Sequence, residues 1–210
     1  FRLEIDEALT KLYGAPRERE PNQADGIPGY SCYRTVEETY ALASDIVAEN
    51  PQLASWLDIG DSWDKANGFG GYDLNVLKLT NTAVPGPKPR LFIMSSVHAR
   101  EYTPAELSNR FAEYLIHNYG VNADVTWLLD YHEIHLLLHT NPDGRKQAEM
   151  GLSWRKNTNR NYCSPTSNSR GADLNRNFEF RWGCCGGSSG AQCAETYRGA
   201  STASEPETQA

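Results

Sequence analysis

An apolar run, a capped helix and a second apolar run follow one another between residues 90 and 144, and this order most constrains the fold. The two runs are RLFIMSSV at 90–97 and YHEIHLLLHTNPDG at 131–144, and both have the length of strands. Between them, residues 103–119 place Thr103 at a helix N-cap, Pro104 at the first helical position and Glu106 three residues after the cap. Leu107, Phe111 and Leu115 then mark an apolar face. Strand, helix and strand in this order predict an α/β sheet with parallel members.

Further elements are predicted on both sides of this unit. Thr35 and Glu38 have the spacing of a capping box, which predicts a helix that ends before Pro51. Apolar stretches near 56–62 and 72–80 predict two strands. Residues 14–29 are rich in Pro, Gly and charge, so we expect a linker, with an ordered surface extension as the alternative. After Gly144 the chain is rich in Asn, Ser and Gly, and we expect mostly loops.

Length and charge exclude several classes of function. The 210 residues, 39% of them hydrophobic, suit one α/β domain with a short extra segment. The net charge is −7 and no stripe of Lys and Arg is present, so a nucleic-acid partner is not expected. The longest apolar runs, LFIM and IHLLLH, are too short to span a bilayer, and no membrane partner is expected.

Four of the five cysteines fall between residues 163 and 193. They form no C-x-x-C pair, which favours disulfides in an exported protein over a thiolate zinc site. A bridge between Cys163 and Cys193 would close a loop of about 30 residues and stabilise the fold by roughly 3–4 kcal/mol. Adjacent Cys184 and Cys185 suit either a vicinal disulfide or two thiols. The odd count leaves one thiol unpaired, which we expect to be Cys32.

The stretch SSVHAREYTPAE, residues 95–106, places His98 and Glu101 between the end of a predicted strand and the start of a helix. Open α/β sheets bind ligands at that edge. Imidazole and carboxylate are both good zinc ligands, and a catalytic zinc needs three protein ligands. H-x-x-E alone is a weak pattern, so a capping or salt-bridged corner is the alternative.

A second polar group lies in the loop-rich part of the chain. SWRKN contains Arg155, and GADLNRNF contains Asp173, Asn175 and Arg176. Arg176 can bind a carboxylate through two parallel hydrogen bonds, and Asn175 can donate another. These residues predict an anion pocket, and the alternative is a polar loop that satisfies its own backbone.

Together, the segments HARE, TNPDG, WRKN, DLNRNF, and ETYRG followed by SEPET resemble the zinc metallocarboxypeptidases of the pancreatic and bacterial type. WGCCGGSSG looks most like bacterial secreted members such as carboxypeptidase T. The resemblance covers about residues 30–210. It implies an α/β fold in which a mixed, largely parallel sheet is sandwiched between helices, here C-terminally truncated. It also implies that residues 1–29 are a propeptide remnant or linker and that 30–210 are the N-terminal part of the catalytic domain.

The same resemblance implies roles for individual residues of a zinc site. His98 and Glu101 match two ligands of a single zinc ion, and Asp173 matches the carboxylate that orients the zinc-binding histidine. Arg155 matches the arginine that polarises the scissile carbonyl and stabilises the oxyanion.

Three further residues match the part of the family site that binds substrate. Asn175 and Arg176 match the pair that holds the terminal carboxylate of the substrate, and Arg100 matches a residue that contacts the substrate further from its C-terminus. The resemblance therefore implies a secreted, zymogen-derived, monomeric exopeptidase that acts on peptide or protein C-termini.

Three family residues have no match in this sequence. The third zinc ligand (a histidine), the general-base glutamate and a tyrosine that closes over substrate lie downstream of SEPET in the family. Ser204 and Glu207 have capping-box spacing for a helix whose continuation is absent, so we expect a fragment with little or no activity of its own. His139, on the predicted strand, is an alternative third ligand, although a buried histidine with a hydrogen-bond partner is favoured. His117 is expected on the surface.

Two other functions remain open on the sequence alone. One is an amidohydrolase of the same superfamily that acts on peptidoglycan-type or acyl-amino-acid substrates. The other is a carboxypeptidase-like binding module that recognises C-termini without cleaving them.

Overall fold

In the computed structural model, which describes residues 25–210, one four-stranded mixed sheet organises the chain. The strands, in the order β1-β2-β4-β3, are β1 (Ala54–Asp61), β2 (Asp73–Leu79), β3 (Arg90–Met94) and β4 (Glu133–Leu137). The α/β class and the mixed sheet are confirmed. The described strands are not largely parallel, because β1 pairs with β2, and β2 with β4, in antiparallel fashion, and only β3 and β4 are parallel. The short connection between β1 and β2 permits an antiparallel pair, whereas parallel strands need a longer crossover.

The described helices are α1 (Val36–Glu49), α2 (Trp63–Ala66), α3 (Thr103–Asn118), α4 (Ala123–Tyr131), α5 (Pro142–Glu149) and α6 (Pro206–Gln209), with a 3₁₀ turn at Leu174–Arg176. The predicted capping box of α1 is confirmed. The Glu38 amide donates to Thr35 Oγ1 at 3.2 Å, and the Thr35 amide donates to Glu38 Oε2 at 2.7 Å. Residues 25–29, the described part of the predicted linker, pack against the fold through Ile27, which is 1% exposed. Residues 1–24 of that segment lie outside the described residues.

The main hydrophobic core joins α1, α3 and α4 to the sheet. Helix α3 buries Ala112 and Leu115, but Leu107 is 66% exposed, so its predicted place on the apolar face is wrong. Small polar residues take the buried face there. Ser108 Oγ lies 2.6 Å from Ser95 Oγ, and Asn109 Nδ2 donates to Thr39 Oγ1. The expected N-cap at Thr103 is also wrong, because Thr103 is already helical and Tyr102 precedes it.

Helices α4 and α5 were not expected, and each begins after an asparagine. Asn122 accepts hydrogen bonds from two amides of the first turn of α4, and the Asn141 side chain accepts one from the Gly144 amide in α5. Residues 141–144 therefore start a helix instead of forming only a turn. The predicted capping box at the chain end is wrong as well: α6 follows Glu205 without a side-chain cap.

The crossover from β3 through α3 and α4 to β4 brings the carboxyl ends of two parallel strands together. The Ser95 amide donates to Leu137 O, and the Thr140 amide donates to Ser95 O, so the two departing loops are joined just beyond the strands. The loop after β3 carries His98 and Glu101. The sequence motif is thereby placed at the edge of the sheet where it was expected.

Two disulfides fasten the loop-rich C-terminal half. Cys163 pairs with Cys193, and Cys184 with the adjacent Cys185, while Cys32 is an exposed thiol. The first bridge and the unpaired Cys32 are confirmed, and the vicinal alternative holds for the second pair. Across residues 25–210, none of the helices combines the length and apolar character that crossing a membrane requires.

Candidate metal and substrate site

A buried arginine, Arg145, binds the backbone of the loop that carries His98 and Glu101. The Arg145 side chain is fully buried, and its Nη1 donates to Ala99 O at 3.3 Å and to Glu101 O at 3.1 Å. The Ala99 amide in turn donates to Arg155 O at 3.2 Å. Burial lowers the pKa of Arg145 to about 10, which leaves it charged at neutral pH. Sequence analysis missed this residue, because a single arginine after NPDG carries no pattern that shows its burial.

Each of the two His98 ring nitrogens faces a carboxylate. Nδ1 lies 2.9 Å from Glu101 Oε1, and Nε2 lies 3.1 Å from Asp173 Oδ1. The His98 residue is 7% exposed, so the ring orientation is fixed by packing as well as by these partners. When Nε2–H donates to Asp173, the Nδ1 lone pair is directed toward Glu101, which is the tautomer that a metal-binding histidine needs.

Asp173 is the buried centre of this group. Its Oδ1 accepts from His98 Nε2 and from the Asn175 amide, and its Oδ2 accepts from Arg155 Nε at 3.1 Å and Nη2 at 2.9 Å. Burial would raise the pKa of the Asp173 carboxyl. The hydrogen bond from His98 and the charge of Arg155 outweigh burial and hold that pKa below its usual value. One ionised carboxylate therefore orients both the imidazole and the guanidinium.

His98 and Glu101 fit two positions of a zinc ion. Two donors of one tetrahedral zinc lie about 3.3 Å apart, given zinc–donor distances of about 2.0–2.1 Å. The 2.9 Å separation of Nδ1 and Oε1 thus needs only a small movement to admit the ion. No group of three or more metal-ligating side chains occurs among residues 25–210, so the described site offers two of the three expected ligands.

His139 does not supply the third position. It is fully buried beside Tyr40, with ring centroids 6.0 Å apart, and it forms no metal-ligand group with other described residues. The expected hydrogen-bond partner is wrong too, because both ring nitrogens lack one within the described part of the chain. Burial and the charges of Arg145 and Lys146 hold the pKa of His139 well below its usual value, so this ring is neutral. His117, as expected, is exposed.

Asn175 and Arg176, two and three residues after Asp173, line a pocket of about 270 Å³ beside the vicinal disulfide. Arg176 Nε donates to Gly187 O at 2.7 Å, and Nη1 donates to Asn175 O at 3.1 Å. These bonds hold the guanidinium at the pocket wall.

Arg100 contacts a different carboxylate, Glu195. Its two terminal nitrogens donate to the two Glu195 oxygens at 3.1 and 3.0 Å, and Nη1 also donates to Ser153 Oγ at 3.1 Å. The structure therefore brings His98, Glu101, Arg155 and Asp173 into one contact network, with Asn175 joined through its backbone. Arg100 binds Glu195 and Ser153.

The segments WRKN and SEPET contact each other through buried side chains. Asn157 Nδ2 donates to Glu205 Oε2 at 2.8 Å and to Glu207 Oε2 at 3.1 Å, and the Trp63 amide donates to Glu207 Oε1. Burial raises the pKa of Glu207 to about 8. In the same segment, Lys156 Nζ donates to two carbonyls next to Cys193, so the segment that carries Arg155 is fixed from both sides.

Comparison with protein-family models matches residues 39–210 to the zinc carboxypeptidase model. Carboxypeptidase A1 of Rattus norvegicus is 34% identical over 182 residues, which is 85% of this chain and 40% of the relative. The zinc carboxypeptidase of Saccharothrix mutabilis subsp. capreolus is 34% identical over 162 residues, 75% of this chain and 35% of the relative. The chain thus spans about two fifths of the length of the curated relatives it matches.

Solved structures give the same result at the level of the fold. The carboxypeptidase A of Helicoverpa armigera superposes with a TM-score of 0.73 at 25% identity, over 98% of this chain and 47% of that one. Thrombin-activatable fibrinolysis inhibitor superposes with a TM-score of 0.75 at 25% identity, over 97% of this chain and 48% of that one.

Proposed function

Because the chain belongs to the zinc carboxypeptidase family, we propose that it is part of a zinc-dependent exopeptidase that hydrolyses the C-terminal peptide bond of peptides or proteins. One observation carries the proposal. A single buried carboxylate, Asp173, binds both His98 and Arg155, and Asn175 and Arg176 lie two and three residues after it. A group suited to bind a metal (His98) and a group suited to bind an oxyanion (Arg155) therefore contact the same carboxylate. The groups suited to bind a substrate carboxylate lie in the segment that follows it.

In this proposal, His98 Nδ1 and Glu101 hold the zinc ion. When bound, zinc supplies Lewis-acid polarisation of a carbonyl and lowers the pKa of water. The resemblance assigns the third ligand, the general base and the closing tyrosine to residues downstream of SEPET, and the described residues contain no group of three metal-ligating side chains. The 210-residue chain alone is therefore expected to turn over little or no substrate.

The proposed roles of the arginines follow from charge and position. Arg155 donates to the scissile carbonyl oxygen as negative charge grows on it, and Asp173 keeps the guanidinium in place during that change. Arg176, with Asn175, binds the free carboxylate at the end of the substrate. Only a chain terminus presents that carboxylate next to the scissile bond, so these two residues make the enzyme an exopeptidase.

The proposed setting is extracellular, in agreement with the two disulfides. We assign residues 30–210 to the N-terminal part of the catalytic domain, residues 1–29 to a propeptide remnant or linker, and a monomeric state to the protein. Its proposed partners are peptide or protein C-termini.

The direct test uses two peptides of identical sequence, one with a free C-terminal carboxylate and one amidated. The full-length protein with zinc is expected to release residues one at a time from the free acid and to leave the amide largely intact, since Arg176 has no charge to bind in the amide. Mass spectrometry of the products checks this result. Cleavage at internal or γ-linked bonds would support the amidohydrolase alternative, and binding without cleavage would support the binding module.

A further inference from the structure

The Arg100–Glu195 pair joins two cavities of the described surface. Arg100 lines a groove of about 490 Å³ together with Tyr30, Tyr102 and Leu152. Glu195 lines a small cavity of about 30 Å³ that also contains Arg155. The ion pair therefore spans the space between the groove and the guanidinium assigned to the scissile carbonyl.

The pair has the two-pronged geometry in which a guanidinium binds a carboxylate most firmly. Both terminal nitrogens of Arg100 are used, at 3.1 and 3.0 Å, and Ser153 Oγ accepts from the same Nη1. The Glu195 side chain is nevertheless 64% exposed, so solvent and a ligand can reach it. A peptide group that binds Arg100 must share the guanidinium with Glu195 or displace this carboxylate.

The charge of the pair decides what the groove attracts. An isolated Arg100 would present one positive charge and would favour a carboxylate on the ligand. Glu195 cancels that charge at short range.

We propose that Glu195 is a specificity-determining residue that neutralises Arg100 and prevents selection of acidic side chains in the substrate, upstream of the cleaved bond. This inference rests on the proposed function, since it takes peptides with a free C-terminus as the ligands. Within that class it identifies substrates with neutral or basic upstream residues as the preferred ones.

The test compares Glu195→Gln with wild type in the full-length protein. Three sets of free-acid peptides are used, one for each of the second, third and fourth positions from the C-terminus. Within a set, the peptides differ only in carrying Glu, Gln or Lys at that position. Dissociation constants are measured on zinc-free protein, so the readout does not require turnover. In the variant we expect the Glu peptide to gain about three- to tenfold in affinity relative to the Gln peptide at one position, and the Lys peptide to lose affinity there.

Glu49→Gln is the matched control, because Glu49 is an exposed glutamate at the end of α1. The gain in affinity for the Glu peptide should be absent in this control. In Glu195→Gln the gain should become smaller as the salt concentration is raised. Equal changes for the Glu, Gln and Lys peptides, or the same selectivity shift in the control, would overturn the inference. Failure of the proposed function would appear separately, as equal treatment of free-acid and amidated peptides by the wild-type protein.

Discussion

Replacing Asp173 with alanine is expected to lower kcat/KM of the full-length protein for a free-acid peptide by about 100-fold and to reduce its free energy of unfolding by about 3–5 kcal/mol. The physical reason is that this fully buried carboxylate is shared between His98 and Arg155. Its removal frees the imidazole to rotate and leaves the Arg155 charge without its main partner. Peptide hydrolysis and denaturant unfolding measure the two effects.

Two control variants separate the causes. Asp173→Asn keeps the volume of the side chain, and its remaining oxygen can still accept from His98, but its NH₂ group cannot accept from Arg155. We expect this variant to recover only part of the stability, through its volume and the bond to His98, and little of the activity. Asp45→Ala, at an exposed position on α1, should change stability by less than about 0.5 kcal/mol. Wild-type activity in Asp173→Ala would contradict the role given to this residue.

Replacing Arg155 with methionine is expected to lower kcat by about 10²–10³ while KM changes only a few-fold. Arg155 uses Nε and Nη2 to bind Asp173, and its Nη1 lies 4.0 Å from Glu101 Oε1, on the side of the candidate metal site. In the proposed mechanism, a group in that position stabilises negative charge that develops only in the transition state. Steady-state kinetics on a free-acid peptide separates kcat from KM.

The conservative variant makes this prediction sharper. Arg155→Lys keeps the positive charge but cannot bind Asp173 through two nitrogens, so its kcat should lie between those of wild type and Arg155→Met. Arg90→Met, at an arginine that is exposed among residues 25–210, should leave both constants unchanged. A raised KM with unchanged kcat in Arg155→Met would mean that Arg155 binds only the ground state.

Elements with local sequence patterns were predicted well. The capping box of α1 and the strands β2 and β3 rest on neighbouring residues, and the structure confirms them. A sequence pattern that is compatible with both a turn and the start of a helix was misinterpreted. Asn141 and Gly144 suggested a turn, but a Cβ at Gly144 would lie 2.6 Å from Lys156 O. That glycine permits close packing at the start of α5 and is not required by a turn.

The site was predicted from resemblance and not from spacing. His98 and Asp173 are 75 residues apart, and no local rule indicates that they share a hydrogen bond. The fold creates this contact by bringing the loop after β3 against the segment that follows Arg155. The hydrogen bonds from buried Arg145 to the loop backbone arise in the same way, from tertiary packing. So does the Arg100–Glu195 pair.

The central claim is that one zinc ion binds between His98 and Glu101, and zinc affinity of the full-length protein tests it most directly. Competition with a chelator should show one zinc per chain in wild type, and an affinity lower by at least about 100-fold in His98→Ala and in Glu101→Ala. His117→Ala, at an exposed histidine on α3, should bind zinc as wild type does. Unchanged affinity in His98→Ala and Glu101→Ala, or a wild-type protein that binds no zinc, would contradict the claim.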